Sequence, residues 1–176
     1  LYNAYIFAQT NSFTEINIKE AHKLLSSNLV SKAWQGQYRT QNMYVATAEG
    51  KIEYVAASPD IVRQEMEQLY NDIESLIKKK LSIEETFFFA AMIHLVFVKI
   101  HPFTDGNGRT ARLIEKWFLS EKLGSKAWFI QSEKMYYVNH NLYYQNLRKL
   151  GLEYNELDYD KALPFLLMLP SCLLMF

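Results

Sequence analysis

The chain has 176 residues, the length of one domain (1–176), and about half of them are apolar, with 12 Tyr and 11 Phe to fill a core. Lys plus Arg and Asp plus Glu balance at 19 each, so there is no broad basic surface for nucleic acid. A lone cysteine, Cys172, excludes an internal disulfide and a cysteine-rich zinc site, and fits a reducing, cytoplasmic compartment.

The elements predicted along the chain are mainly helical, without internal repeats or linkers. A first helix is expected over 17–27, where Asn17 and Glu20 resemble a capping box. The stretch "QNMYVATAEGKIEYVA" alternates and has Glu-Gly near its centre, so it predicts a β-hairpin of 42–46 and 51–55 around a loop at 47–50. A lone hairpin is marginal in water and must lie on the helices, with one strand edge open. Ser58-Pro59-Asp60 reads as N-cap, first helical residue and helix-start acid. The helix it opens runs to about Lys79, with Ile61, Met66, Leu69, Ile73 and Leu76 on its apolar face. Ser82-Ile83-Glu84-Glu85 is a capping box, and the helix beyond it, to about Ile100, is apolar nearly all round, as at the centre of a bundle. Another helix is expected from near Gly108 to about Lys122, with Gly124 as its stop. Shorter helices are expected over 139–150, stopped by Gly151, and over 158–169. The C-terminal run "ALPFLLMLPSCLLMF" is too short, and too broken by Pro164 and Pro170, for a membrane anchor. The chain begins at Leu1, not Met, which admits a missing upstream segment.

Between the two central helices lies "HPFTDGNGRTAR", 101–112. Pro102 ends the first helix, and Gly106 and Gly108 allow positive φ and a close ligand approach. Free amides then open the next helix and form an anion site. Arg109 and Arg112 share a face of its first turn, where cations oppose the helix dipole by up to about 1 kcal/mol each. A polyphosphate between them resolves that conflict. Asp105 beside phosphates calls for a bridging cation such as Mg²⁺. His101 is then a base beside a phosphate–metal site, fit for attack by a hydroxyl on phosphorus.

Each residue also has a plainer role. Arg112 can pair with Glu115, Asp105 can cap the loop, the glycines can shape the turn, and His101, like His94, His22 and His140, can be packing. His94 and His101 lie seven apart, but no third metal ligand is evident. Taken together, the plainer roles leave two arginines at the wrong helix end unexplained. There is no Walker A loop and no kinase motif set.

"HPFTDGNGRTAR" resembles the signature of the Fic-domain family, His-x-Phe-x-Asp/Glu-Gly-Asn-Gly-Arg-x-x-Arg, at every fixed position. "GQYR" at 36–39, "AAMIHLVFVKIHPF" and "YYQNL" from Tyr143 are similar to further family segments. The resemblance implies a small helical bundle with a β-hairpin flap over the site. It also implies transfer of AMP from ATP to a Ser, Thr or Tyr hydroxyl of a target protein, with release of pyrophosphate. By it, His101 is the base and Asp105 holds Mg²⁺. The Gly106, Asn107 and Gly108 amides and the Asn107 side chain cradle the α- and β-phosphates, and Arg109 and Arg112 bind the β- and γ-phosphates. Phe103 anchors the loop. Tyr143, Tyr144 and Asn139 are candidates for the adenine pocket, and Tyr44, Val45, Ile52 and Tyr54 of the hairpin dock the target by strand addition.

In the family's Doc type the second glycine of the motif is lysine and a phosphate is transferred; in its phosphocholine variant the first is alanine. Here these are Gly108 and Gly106, which favours AMP. Transfer of UMP or GMP, and a non-catalytic module that binds nucleotide or peptide, stay open as alternatives. Many relatives are inhibited through a [Ser/Thr]-x-x-x-Glu-[Gly/Asn] helix whose glutamate pairs with the motif's second arginine, here Arg112. The sole Glu followed by Gly or Asn is Glu49, four residues after Val45, so this chain carries no intact copy. An inhibitory helix upstream in cis or on an antitoxin protein is therefore expected, and homo-oligomerisation stays open.

Overall fold

The computed structural model describes residues 1–47 and 49–174. Nine α-helices are described: α1 Tyr2–Thr10, α2 Glu15–Ser26, α3 Pro59–Lys78, α4 Ile83–Ile100, α5 Asn107–Leu123, α6 Ser132–Val138, α7 His140–Lys149, α8 Leu163–Leu166 and α9 Met168–Ser171. One hairpin, β1 Tyr44–Ala46 and β2 Ile52–Val55, sits between α2 and α3 in the chain. The expected architecture, mainly helical with a small antiparallel hairpin, is the one observed. No described helix is long and apolar enough to cross a membrane.

The core forms around α4 and α5, which pack on each other along their length. Leu95, Phe97 and Ile100 of α4 and Leu113, Trp117 and Phe118 of α5 are buried. Both bonds of the Ser82 capping box start α4: Ser82 Oγ accepts from Glu85 N–H, and the Glu85 carboxylate accepts from Ser82 N–H. Gly124, at φ 83°, closes α5.

Helix ends differ from the expected ones at two caps. Thr14, not Asn17, caps α2, and Asn17 sits one turn in with its side chain donating to the Ser12 carbonyl. The expected helix over 158–169 is a 3-10 turn at Tyr159–Lys161 followed by α8 and α9, because Asp158 turns back to cap Asp160 N–H and Pro170 cannot donate. Helices α1 and α6 have no strong sequence signal, since α1 buries only Ala4 and Ala8 and α6 has 7 residues.

The hairpin pairs Tyr44 with Val55, Val45 with Tyr54 and Ala46 with Ile52, with a register shift between Val45 and Ala46. This bulge lets two consecutive side chains, Glu53 and Tyr54, turn into the protein while Ile52 stays out. Glu53 meets Arg148 of α7 at 2.6 Å, and Val55 N–H donates to the Leu152 carbonyl, so β2 is pinned to the body. Among the described residues no backbone bond ties the outer edge of β1 to another segment. Of the expected loop at 47–50, Ala48 lies outside the described residues.

Arg39 joins the hairpin to the core. Its guanidinium is buried and donates to the carbonyls of Ile100, His101, Gln41 and Ala57, while its own N–H donates to Pro102 O. Replacing Arg39 with Ala leaves the four carbonyls bound by its guanidinium without that donor, two of them at the end of α4. The unfolding free energy should fall by about 2–4 kcal/mol, read as a lower urea midpoint.

Candidate active site

The α4–α5 junction carries most of the chemistry-bearing residues. His101 ends α4 at φ 53°, the one positive φ outside glycine among the described residues. Its N–H donates to Phe97 O at 2.9 Å and its carbonyl accepts Arg39 Nε at 2.7 Å, so the strained backbone is held from both sides. The ring Nδ1 lies 3.0 Å from the Tyr54 hydroxyl and 3.3 Å from the Val98 carbonyl. Burial pushes the imidazole down from 6.5 to about 4, so it is neutral at pH 7.

The loop that follows is built on Phe103, fully buried and stacked on His22 at 3.7 Å. His22 Nδ1 accepts from Gly36 N–H, so its Nε2–H donates to the Asp105 carbonyl at 2.8 Å, and burial lowers its pKa. The Asn107 side chain accepts from Phe103 N–H and donates to Phe103 O. It is therefore tied to the loop, while its backbone amide opens α5. Gly106, at φ 82°, is the N-cap, and a Cβ there would lie 3.3 Å from His22 Nε2. The first amides of α5 have no intrahelical acceptor.

Arg109 faces Asp105 at a loose 3.9 Å, and both side chains are well exposed. Arg112 makes no ion pair among the described residues. Pairing with Glu115 is not found: Glu115 is fully buried and accepts from His94 Nδ1–H and Tyr136 O–H, each at 2.7 Å. His94 Nε2 in turn accepts from the Tyr143 hydroxyl, so His94 is a packed histidine within a hydrogen-bonded network.

These groups open on one cleft of about 700 Å³. Its floor is His101, Asp105 to Arg109 and Arg112, and Tyr44, Val45 and Tyr54 of the hairpin reach its edge. The far wall is aromatic, with Tyr137, His140, Tyr143 and Tyr144, and Leu1, Tyr5 and Glu133 close another side. Two sequence candidates lie outside the cleft: Ile52, and Asn139, whose side chain donates to Met135 O. Tyr54 is 2% exposed and faces His101, not the outer surface of the hairpin. Tyr137, His140, Tyr5 and Glu133 were not expected there. The aromatic-rich "YYVNHNLYY", 136–144, was the available signal for the first two.

No cluster of three or more His, Cys, Asp or Glu among the described residues could hold a metal by itself. Asp105 offers an exposed carboxylate to the cleft, while Glu133, also in its lining, is held by Tyr5 and Lys116. That suits Mg²⁺ arriving with a polyphosphate, because this ion takes one or two carboxylates plus phosphate oxygens and waters.

The Fic/DOC family pattern matches residues 12–119, and the chain belongs to that family. The chain is 33% identical over 112 residues to "Protein adenylyltransferase Fic" of Nematostella vectensis, covering 64% of this chain and 24% of the relative. Its fold is similar to a Fic family protein from Desulfovibrio desulfuricans G20, with TM-score 0.78 and 24% identity over 97% of this chain and 48% of the other. It is also similar to a Fic domain containing signaling protein from Bacteroides thetaiotaomicron VPI-5482, with TM-score 0.69 and 27% identity over 98% and 64% of the two chains. The chain thus spans about a quarter of the curated relative and about half of the first structural one.

His101 and His22 both bind protons less readily folded than unfolded. The stability this gives is present above the unfolded value near 6.5 and is lost as pH falls toward 4. Urea midpoints should drop across that window, and the drop should be shallower in His101→Ala.

Proposed function

We propose that this chain is a protein adenylyltransferase, which moves AMP from ATP to a Ser, Thr or Tyr hydroxyl of a target protein. One observation carries the reading. A neutral, half-buried histidine shares a cleft with a helix start bearing open amides and two arginines, Arg112 without an ion pair among the described residues and Arg109 only loosely paired to Asp105.

His101 Nε2 accepts the proton of the target hydroxyl as its oxygen attacks the α-phosphorus. The new P–O bond forms as the bond to the β-phosphate bridging oxygen breaks, and pyrophosphate leaves. The amides of Asn107 and Gly108 and the Arg109 and Arg112 guanidiniums bind the phosphate oxygens and the charge that develops there. Asp105 would hold Mg²⁺ against the phosphates, where the ion neutralises charge on the leaving group. The aromatic wall of Tyr137, His140 and Tyr144 receives the base by stacking, with Tyr143 behind it. The free edge of β1, carrying Tyr44 and Val45 at the cleft, takes an extended target segment by strand addition. The cytoplasm supplies ATP and keeps the Cys172 thiol reduced. An inhibitory helix in cis, or an antitoxin, would act by bringing a carboxylate to Arg112.

Incubation with α-labelled ATP tests the reading: label and an adduct mass of AMP should appear on protein. Label with UTP or GTP instead would change the nucleotide. Binding without transfer would make the chain a nucleotide-binding module.

His101→Ala should lose transfer by about 10²–10⁴-fold while ATP still binds by calorimetry. Arg112→Ala should weaken ATP binding by about tenfold or more through loss of a charge-assisted contact. Val45→Pro removes a ladder donor on β1. It should cut modification of a protein target more than it cuts ATP binding, as read by comparing transfer rates with nucleotide Kd.

A further inference from the structure

We propose that Tyr5 of α1 and Lys116 of α5 are positioning residues: they form a clamp that holds the Glu133 carboxylate off Arg112, so that the place of the outer phosphates stays cationic. The inference rests on the reading of the cleft as an ATP site, and it gives α1 a part in that site. Glu133, Tyr5 and Arg112 share the cleft lining. The Tyr5 hydroxyl donates to Glu133 Oε1 at 2.6 Å. Burial, and then the Glu133 carboxylate, push the Tyr5 phenol well above its ordinary 10, while the Arg112 charge pulls it back. Arg112 is therefore within Coulombic reach of the Tyr5–Glu133 pair, yet it forms no ion pair with Glu133 among the described residues. A carboxylate in this lining without a counter-charge would repel a polyphosphate and compete with it for the guanidinium.

Lys116 supplies that counter-charge. It follows Arg112 by four residues on α5, one turn along the same face. Its side chain is 6% exposed, and its ammonium meets Glu133 Oε2 at 2.5 Å. An ammonium so far from water is costly without a partner, so the pair resists exchange. Both carboxylate oxygens of Glu133 are thus engaged, one by the phenol and one by the lysine. Tyr5 is itself fixed. Its ring lies edge-on to Trp128 at 6.2 Å and 5.8 Å from Lys116 Nζ, and Ala4 and Ala8 seat α1 in the core. Two other acids border this region. Glu115 is bound inside the core by His94 and Tyr136, and Asp105 faces Arg109 in the loop. Glu133 is held by the clamp instead of by full burial. With Lys116 removed, the guanidiniums that remain in the lining are Arg109 and Arg112, and Glu133 would turn to them.

Calorimetry of the whole chain with ATP and Mg²⁺ tests the clamp. Lys116→Met keeps the reach of the side chain and removes its charge. It should weaken ATP binding several-fold, and adding Glu133→Gln should restore the wild-type affinity, because the released acid is gone. Glu133→Gln alone should bind ATP at least as tightly as the wild type. The loss in Lys116→Met should be larger for ATP than for AMP, since repulsion grows with the charge on the ligand. Tyr5→Phe, which leaves the ring against Trp128, should show a smaller loss with the same rescue. Should Lys116→Met fail to fold, the Tyr5→Phe pair carries the same comparison. Undiminished ATP binding in both variants, a loss that persists with Glu133→Gln added, or an equal loss for AMP would each overturn the clamp. Loss and rescue of ATP binding, with no AMP transfer by the wild type, would support the clamp and sink the adenylyltransferase reading. A wild-type chain that binds neither ATP nor inorganic triphosphate would overturn both.

Discussion

The site depends on a buried cation that has no carboxylate partner. Arg39 is 3% exposed, and its guanidinium is satisfied by four backbone carbonyls. Two of these, of Ile100 and His101, are orphan acceptors at the end of α4, where a cation also complements the helix dipole. The other two, of Gln41 and Ala57, lie on either side of the hairpin. One side chain therefore fixes the left-handed backbone of His101 and the seat of the flap together. Lysine could not do the same, because its compact ammonium lacks the planar fork that reaches carbonyls on several segments.

The anion-binding loop is rigid for a related reason: its polar groups are used up by the loop itself. Asn107 closes on both backbone groups of Phe103, and His22 bridges Gly36 N–H to Asp105 O while stacking on the Phe103 ring. Gly36 has φ 72°, and a Cβ there would meet Lys19 O at 2.8 Å, so α2 can approach this closely only against glycine. The result is a loop held on a buried aromatic ring, with the first amides of α5, Asp105 and the two arginines left for a ligand, the Gly106 N–H being bound by Asp105 Oδ1. Preorganisation of this kind lets dipoles act on developing charge without first having to reorient.

The helices α3, α4 and α5 were legible because their ends carry chemistry that acts locally: Ser58-Pro59, the Ser82–Glu85 box, and Gly124. Helix α1 was not, since an alanine stripe gives little periodicity. The motif residues of the site were legible as residue types, and the cleft does gather His101, Asp105 and the arginines. Their side-chain directions were not legible. Strict alternation puts Tyr54 on a face of the hairpin, but nothing within "KIEYV" marks a bulge. The bulge is favoured by partners distant in sequence, Arg148 for Glu53 and Lys99 for Tyr54. Asn107 and Asn139 mislead for the same reason. Each looks free to bind a ligand, and each is occupied by a carbonyl four residues away.

Zero net charge hides a sharp local asymmetry. One side of the cleft holds a half-buried histidine whose pKa desolvation lowers; the other leaves cations open. Glu115 shows how that opening is kept. At i+3 from Arg112 it is the carboxylate best placed along α5 to neutralise it, but such a helix pair contributes only about 0.2–0.5 kcal/mol. A fully buried carboxylate, by contrast, must be hydrogen-bonded or it costs several kcal/mol. His94 and Tyr136 provide two such bonds, both to Oε2, on the core side of α5, while Oε1 has no partner among the described residues. Burial therefore wins, and this one carboxylate is withdrawn from Arg112, leaving Asp105 and Glu133 as the acids that line the cleft. His94 thus holds Glu115 on the core side of the same helix that carries Arg112 one turn earlier.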